Sequence, residues 1–184
     1  MAFAKNTQVA NRYGLNTKIY ALTETAPGTD AEPLMVIDFA NVSALDVSSD
    51  RVWATGGQAH ANQVPFENPM TGSVTLSTNM QTMELLALMA GDDLATFEGT
   101  SVDFANNKEA KFFTIVSETV WKGKDGTVYD EVLTFWKASA QRALNISYSG
   151  EGDPVSMDLV LDLTENDAHK VVTIERKDQA AAAG

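Results

Sequence analysis

The stretch KFFTIVSETVWKGKDGTVYDEVLTFWK, residues 111–137, predicts a β-hairpin and places the chain among the mainly β proteins. Two runs rich in β-branched and aromatic residues flank the turn sequence KGKDG, in which Asp-Gly is the pair typical of a tight type I′ turn. That turn predicts that Trp121 lies opposite Asp130 and that Val116 lies opposite Phe135. A four-residue turn would place two glutamates, Glu118 and Glu131, face to face, which destabilises a sheet.

Apolar side chains occupy both faces of this predicted hairpin. An antiparallel sheet normally keeps one face polar. We therefore expect one face to form the core and the other to contact a helix, a second sheet or another subunit. The residues expected in the core or at such an interface are Phe113, Ile115, Trp121, Val132, Phe135 and Trp136.

Five further runs have the composition of strands and are bounded by Gly, Pro, Asn or Asp. They are residues 34–47, 72–78, 142–149, 155–163 and 170–176. The run 155–163 alternates, with Val, Met and Leu on one face and with Asp158 and Asp162 on the other. It predicts a strand with one buried face and one solvated, acidic face.

One helix is predicted at residues 79–90, directly after the strand 72–78. Thr78 and Gln81 have the spacing of a capping box at its start, and Gly91 follows its end, where a left-handed residue terminates many helices. Apolar residues recur at helical spacing, so the helix is expected to pack on the sheet. The expected contact residues are Met80, Met83, Leu86, Ala87 and Ala90.

Residues 48–71 predict a long loop of unusual composition. The stretch TGGQAHANQVPFENPMTGS, from Thr55 to Ser73, contains three Gly, two Pro and one formal charge, Glu67. Loops of this length inside a compact domain are uncommon and are usually functional or disordered.

Charge and residue content argue against several classes of function. The chain of 184 residues has 13 Lys and Arg against 25 Asp and Glu, a formal net charge of −12. We expect such a chain to bind nucleic acid weakly, because phosphate contacts require Lys and Arg. It has no Cys, and its two His residues, His60 and His169, lie in no metal-binding or catalytic motif. We expect a non-enzymatic protein with no catalytic residue, no metal, no cofactor and no membrane anchor.

The order of these parts resembles that of phage tail tube proteins, also called major tail proteins. The resemblance rests on a strand pair around residues 34–47, the long loop 48–71, the strand and helix GSVTLSTNMQTMELLALMAGDDL, the hairpin around WKGKDGTVYDEV and the late pair ISYSGEGDPVSMDLVLDL. It spans residues 17–176, and its most specific part is the strand–helix junction TLSTNMQTMELLALMAG.

The resemblance implies one tail-tube domain at residues 17–176, an N-terminal arm at 1–16 and a flexible tail at 177–184. The domain would fold as two packed antiparallel sheets, a sandwich or barrel, with one flanking helix. Six subunits would close into a ring, and stacked rings would form the tube through which the genome leaves the virion.

Partners and location follow from the same resemblance. The chain would bind other copies of itself and the tape measure, terminator and distal tail proteins. DNA would pass through the lumen without specific binding. The protein would be made in the cytoplasm of a bacterial host and would reside in the virion tail.

Two sets of site residues are implied as well. Asp158 and Asp162 would line the lumen, because an acidic wall repels DNA and lets it slide. The loop 48–71 would reach the next ring. Its expected contact residues are Trp53, His60, Val64, Phe66 and Met70.

Three alternative functions are compatible with these sequence features. A tail terminator or the inner tube of a contractile injection system would have the same fold but would form a single ring or bind a sheath. A carbohydrate-binding β-sandwich would use the Trp residues as a platform. A hydrolase would use His60 or His169 with an acid.

Overall fold

The computed structural model of the protein describes residues 9–28, 30–38, 40–56, 61–79, 82–105, 108–123, 128–141 and 156–178, and for 9–13, 54–56, 61–64, 123 and 177–178 it describes the backbone alone. This part of the chain forms ten strands and one helix. In chain order they are β1 (Val9–Ala21), β2 (Met35–Asp38), β3 (Asn41–Ser48), β4 (Arg51–Gly56), β5 (Ala61–Glu67), β6 (Thr71–Thr78), α1 (Met83–Ala90), β7 (Phe113–Gly123), β8 (Val128–Ala140), β9 (Met157–Thr164) and β10 (Val172–Asp178).

Eight strands form one antiparallel sheet with the order β2-β1-β7-β8-β9-β6-β3, and β10 pairs with β8 beside this path. The long strand β8 joins two parts of the sheet, because its first part pairs with β10 and its last residues pair with β9. Strands β4 and β5 form a separate two-stranded sheet. The predicted mainly β class with one helix is confirmed.

The two ends of the large sheet approach each other. Strand β2 ends at Asp38 and β3 begins at Asn41, although these strands lie at opposite ends of the order. Gly14 of β1 lies against this junction, and its N–H donates to Asn41 Oδ1 at 2.7 Å. A Cβ at Gly14 would lie 2.3 Å from the carbonyl oxygen of Ala40, so glycine allows this close approach.

The core lies on the inward face of the large sheet, beneath α1. Strands β1, β2, β6, β7, β8 and β9 each contribute buried apolar side chains to one cluster, and the helix adds three more. The largest fully buried side chains are Phe135, Ile19, Leu76, Leu85, Leu88, Met89, Ile115, Leu133, Met157, Leu159, Leu161 and Leu163.

Strand β1 overlaps the expected N-terminal arm. Residues from Val9 onward pair with β7 in the middle of the sheet, so the segment 9–16 is part of the sheet. The register shifts between Gly14 and Thr17, and a bulge of this kind interrupts the two-residue alternation by which strands are recognised. Because of this irregularity, the sequence pattern of residues 9–16 does not predict a strand.

The register predicted for the central hairpin, β7 and β8, is wrong by one residue. Trp121 lies opposite Tyr129 and Val116 lies opposite Thr134. Lys122 pairs with Val128, so the connection is longer than the two-residue turn that Asp-Gly suggested. A slip of one residue changes which side chains share a face.

The corrected register separates a core face from an outer face. Ile115, Leu133 and Phe135 are almost fully buried on the core face. Val132 was expected beside Ile115 but is half-buried on the outer face, across from Glu118. The outer face of the hairpin is therefore partly apolar but not part of the core.

The helix begins at Met83, four residues after the predicted start. Its N-cap is Thr82, whose side chain accepts a hydrogen bond from the N–H of Leu85 at 3.2 Å. The capping box predicted at Thr78 is wrong, because the backbone of Thr78 is held in β6 opposite Met157. The predicted end is confirmed, since Gly91 adopts the left-handed conformation with φ 83.

The predicted contact face of the helix agrees in part with the structure. Ala87 and Ala90 are buried, and Leu86 is half-buried but packs against the core cluster. Met83 is half-buried, and Met80 lies outside the described residues. The side chains that enter the core cluster are Leu85, Leu88 and Met89. Seven of the eight helical residues, MELLALMA, are apolar, so periodicity could not select the buried side.

Candidate assembly surfaces

Basic residues are absent from one part of the large sheet. Strands β3, β6 and β9 together hold 24 residues, of which three are Asp and none is Lys, Arg or Glu. In contrast, β1, β7, β8 and β10 each carry at least one Lys or Arg. The sequence of the strands thus divides the sheet into an acidic part and a part of mixed charge.

The register brings the acidic residues of these three strands onto one outward face. Asp46, Ser73 and Asp162 form one cross-strand row, and Ser77 and Asp158 lie together in another. The inward-facing residues between them on β6 and β9 are almost fully buried. We call the outward set the acidic face: Ala44, Asp46, Ser73, Thr75, Ser77, Asp158, Val160 and Asp162.

Hydrogen bonds hold the carboxylates of the acidic face in place. Ser77 Oγ donates to Asp158 Oδ1 at 2.6 Å, and Gln141 Nε2 donates to Asp162 Oδ1 at 2.6 Å. No side chain of this face is longer than that of Asp, so the surface is low in relief and hydrophilic.

The solvated, acidic face predicted for this strand is confirmed, since Asp158 and Asp162 are both exposed on β9. Their position in a lumen stays a prediction. Asp46 was missed, because its place in the same row as Asp162 depends on how β3 pairs with β6. The alternating run 34–47 was its only sequence signal.

The expected loop 48–71 contains a hairpin of its own, which we call the arm: β4 and β5, residues 51–67. Val52 lies opposite Phe66 and Trp53 lies opposite Pro65, and within the described part of the chain the two strands pair only with each other. The prediction of a loop without regular structure is wrong. Gly and Asn near the tip and Pro65 within β5 masked the strand pattern, since these residues are depleted in strands.

Large apolar side chains are exposed on both faces of the arm. The exposed fractions are 53% for Val52, 44% for Trp53 and 58% for Phe66. An isolated two-stranded hairpin is marginally stable in water, and clustered exposed apolar residues mark interaction sites. The arm therefore has the properties of a segment that is covered in an assembly.

The other expected contacts of this segment are only partly described. Met70, just beyond the arm, is 39% exposed. Val64 lies in β5 opposite Ala54, but its side chain is not described. His60 lies outside the described residues.

Polar contacts fix the base of the arm. Arg51 and Glu67 form an ion pair across the two strands, and the N–H of Asn68 donates to the carbonyl of Asp50 at 2.9 Å. Glu165, in the turn after β9, accepts a hydrogen bond from the N–H of Met70 at 2.5 Å. That hydrogen bond, followed by the contact with His169, lowers the pKa of Glu165.

The remaining expected residues lie in the central hairpin. Phe113, Ile115, Phe135 and Trp136 are buried. Trp121 is half-buried under the guanidinium of Arg176, which lies 4.5 Å from the ring centroid. The same guanidinium is 3.2 Å from Glu131 Oε2.

An ion pair crosses from β1 to β7 on the outer face of the sheet. Lys18 Nζ lies 2.9 Å from Glu118 Oε1, and both side chains are about one third exposed. The hydrogen bond to Glu118 is the main cause that raises the pKa of Lys18 above its ordinary value of 10.5.

The structure gives little support to the alternatives that use Trp or His. Trp136 is buried and Trp121 is covered, so Trp53 alone is strongly exposed and no platform of three Trp forms. His169 Nδ1 lies 3.0 Å from Glu165 Oε2, but its side chain is 85% exposed on a turn. Among the described residues, no group of three His, Asp or Glu could hold a metal ion.

The described part of the chain includes no helix that is long and apolar enough to cross a membrane. No protein-family model matches the chain, and no curated protein matches it.

Two solved structures share a likeness of fold with this chain. One is a chain of the cryo-EM structure of the anti-feeding prophage (AFP) baseplate, 6-fold symmetrised, with 12% identity and a TM-score of 0.48 over 97% of this chain and 98% of that chain. The other is an Hcp protein crystal structure, with 12% identity and a TM-score of 0.34 over 92% of this chain and 100% of that chain. Likenesses of this size do not assign a role, so the role of this chain rests on its own surfaces.

Proposed function

We propose that this chain is a ring-forming subunit of a phage-type tail tube, in which the acidic face lines the lumen and the arm contacts the next ring. One observation carries this proposal: a single subunit combines a sheet face without bases and a hairpin of zero net charge with exposed apolar side chains, which pairs with no other strand among the described residues. An enzyme or a nucleic-acid-binding protein has no use for that combination.

The acidic face suits a wall along which DNA slides. DNA carries one negative charge per roughly 1.7 Å of its axis, and basic residues would hold it through release of counterions. A ring of six copies would carry six times −12, or −72 formal charges. The three Asp of the acidic face repel the phosphates, and its other side chains are uncharged and offer them no basic partner.

The arm suits contact between acidic copies. Residues 51–73 contain one Arg and one Glu and are neutral, whereas the whole chain has a net charge of −12. A neutral apolar segment can be buried against a like-charged neighbour without charge repulsion. Within the ring, the free edge of β3, the last strand of the sheet order among those described, is available to pair with another copy.

In this role the chain binds copies of itself and the other proteins of the tail, the tape measure, terminator and distal tail proteins. It resides in the virion, is made in the host cytoplasm and needs neither a cofactor nor a catalytic residue. DNA is a passing cargo and not a bound ligand.

Electron microscopy of concentrated protein tests the stacking role. We expect the unaltered chain to form tubes and the variant Trp53→Ala/Phe66→Ala to remain folded without forming long tubes. Phe104→Ala is the matched control, because Phe104 is also exposed, at 43%, but belongs to the segment between α1 and β7 and not to the arm. Normal tubes from the double variant, or no assembly of the unaltered chain, would contradict the proposal.

Salt-dependent DNA binding by assembled tubes tests the lumen. Asp158→Lys/Asp162→Lys should create binding that weakens as salt rises. The control Glu84→Lys/Glu98→Lys makes the same change in net charge at two exposed positions outside the acidic face and should not. Equal DNA binding by both variants would place Asp158 and Asp162 outside the lumen.

A further inference from the structure

A second surface without a partner lies on the outer face of the large sheet. It consists of two cavities of about 410 Å³ and about 250 Å³ that share Glu118 and Val132 as lining residues. We call it the sheet groove. Its lining residues that matter here are Leu15, Val116, Val120, Val132, Glu118 and Glu175.

The floor of the sheet groove is apolar and its rim is acidic. Val116, Val120 and Val132 are half-buried, and Leu15 at one end is 42% exposed. Four acids line the two cavities. Glu118 pairs with the base Lys18, and the buried Glu131 pairs with Arg176. The other two acids are Asp130 and Glu175. An acidic segment of another copy would be repelled at this rim.

The arm matches the sheet groove in polarity and charge. Its single base and single acid, Arg51 and Glu67, are paired with each other, so it carries no net charge to the acidic rim. It offers Val52 and Phe66 side by side on one face, both more than half exposed. The larger cavity, at about 410 Å³, is in the size range of pockets that enclose small ligands.

We infer that the arm of one subunit docks in the sheet groove of a second copy, with Phe66 and Val52 covering the valines of its floor. The arm and the groove are different surfaces of the same chain, so the contact is head-to-tail and can repeat along a stack. This inference rests on the proposed function in taking a second copy as the occupant. It adds the surface that receives the arm.

Chemical cross-linking tests the inference directly, because the chain has no Cys and each introduced thiol is unique. A tagged Pro65→Cys chain, which places a thiol at an exposed position of the arm and leaves Phe66 and Val52 in place, is mixed with untagged Leu15→Cys or Glu175→Cys chains, which place a thiol in the larger or the smaller cavity of the groove. The mixture is treated with a short bismaleimide under the conditions used for tube formation. The matched control is Asp158→Cys, an exposed position on the acidic face.

We expect a band of tagged–untagged dimer with a groove thiol and none with the control. The inference would be overturned if Asp158→Cys gave as much dimer as the groove positions did. It would also be overturned if neither groove position gave a dimer. Electron microscopy of the same samples separates the two proposals. If tubes form but no groove cross-link is found, the proposed function stands and the inference is wrong. If groove cross-links form but no tubes are seen, the arm docks as inferred and the proposed function is wrong.

Discussion

The central hairpin and the arm are both antiparallel hairpins rich in apolar residues, yet they have opposite environments. In the central hairpin, Phe113 is 5% exposed and Phe135 is fully buried. In the arm, Phe66 is 58% exposed. The central hairpin is flanked by β1 on one side and by β9 and β10 on the other, whereas no strand of the large sheet pairs with the described strands of the arm.

This difference shows that apolar strand composition does not by itself decide burial. Each hairpin forms backbone hydrogen bonds between its own two strands, but only the central one also pairs with neighbouring strands, among the residues that the structure describes, and has its side chains covered by them. The apolar surface of the arm is left for a contact between molecules. The comparison therefore predicts that the two hairpins respond differently to the same substitutions.

The largest contrast should come from replacing a Phe in each hairpin. Phe135→Ala should lower the free energy of unfolding by about 3–5 kcal/mol, because it removes a fully buried aromatic ring. Phe66→Ala should change it by less than about 0.5 kcal/mol, as for most exposed positions. Urea unfolding curves measure both, and a similar loss for Phe66→Ala would mean that the arm packs on the core.

The helix gives a second contrast of the same kind. Leu88 is fully buried in the core cluster beside the central hairpin, whereas Leu86 is half-buried at its edge. Leu88→Ala should cost about 2–5 kcal/mol, and Leu86→Ala should cost clearly less. If Leu86→Ala lowers the free energy of unfolding more than Leu88→Ala does in the same assay, the helix packs on the core through the face predicted from sequence.

Two of the cross-strand ion pairs, one in the large sheet and one in the arm, should differ on a smaller scale. Lys18–Glu118 is about one third exposed and Arg51–Glu67 is more than half exposed. At neutral pH, Lys18→Met should cost about 0.2–1 kcal/mol, and Arg51→Met should cost no measurable amount.

The pH dependence of the Lys18 effect has a definite sign. Because the pKa of Lys18 is raised in the folded protein, its contribution is full below 10.5 and is lost as pH rises through the folded pKa. The cost of Lys18→Met should therefore disappear at alkaline pH. A cost that persists there would indicate lost packing of the Lys stem.

The smallest effect is a local one at the base of the arm. The pKa of Glu165 is lowered, first by the N–H of Met70 and then by His169. Its contribution is therefore present above 4.5 and is lost as pH falls through the folded pKa. The amide proton shift of Met70 in NMR spectra should titrate with a midpoint below 4.5, and Glu165→Gln should abolish that titration. A midpoint at or above 4.5 would contradict the hydrogen bond between the N–H of Met70 and Glu165. The amide protons of β8 in the core are the control and should not shift over this pH range.

Local sequence determined several features without help from the rest of the fold. The alternation of MDLVLDLT fixed a one-sided strand with Asp158 and Asp162 outward, because successive side chains on a strand point to opposite faces. Gly91 determined where the helix ends, because it adopts the left-handed conformation without a steric cost. The lack of Lys and Arg in β3, β6 and β9 is likewise written in the sequence.

Only the tertiary structure decided which of the apolar strands are covered and how they align. Trp121 pairs with Tyr129, and Asp46 pairs with Ser73. No local sequence pattern encodes these registers, because each depends on contacts between segments that are separated along the chain. Thr78 could have capped the helix on its local sequence, but its pairing with Met157 keeps it in the sheet. The strand β1 and the arm both have irregular sequences, yet β1 lies inside the large sheet between β2 and β7, whereas the described strands of the arm pair only with each other. The physical reason is that burial follows from neighbours in space, which a chain acquires only when it folds.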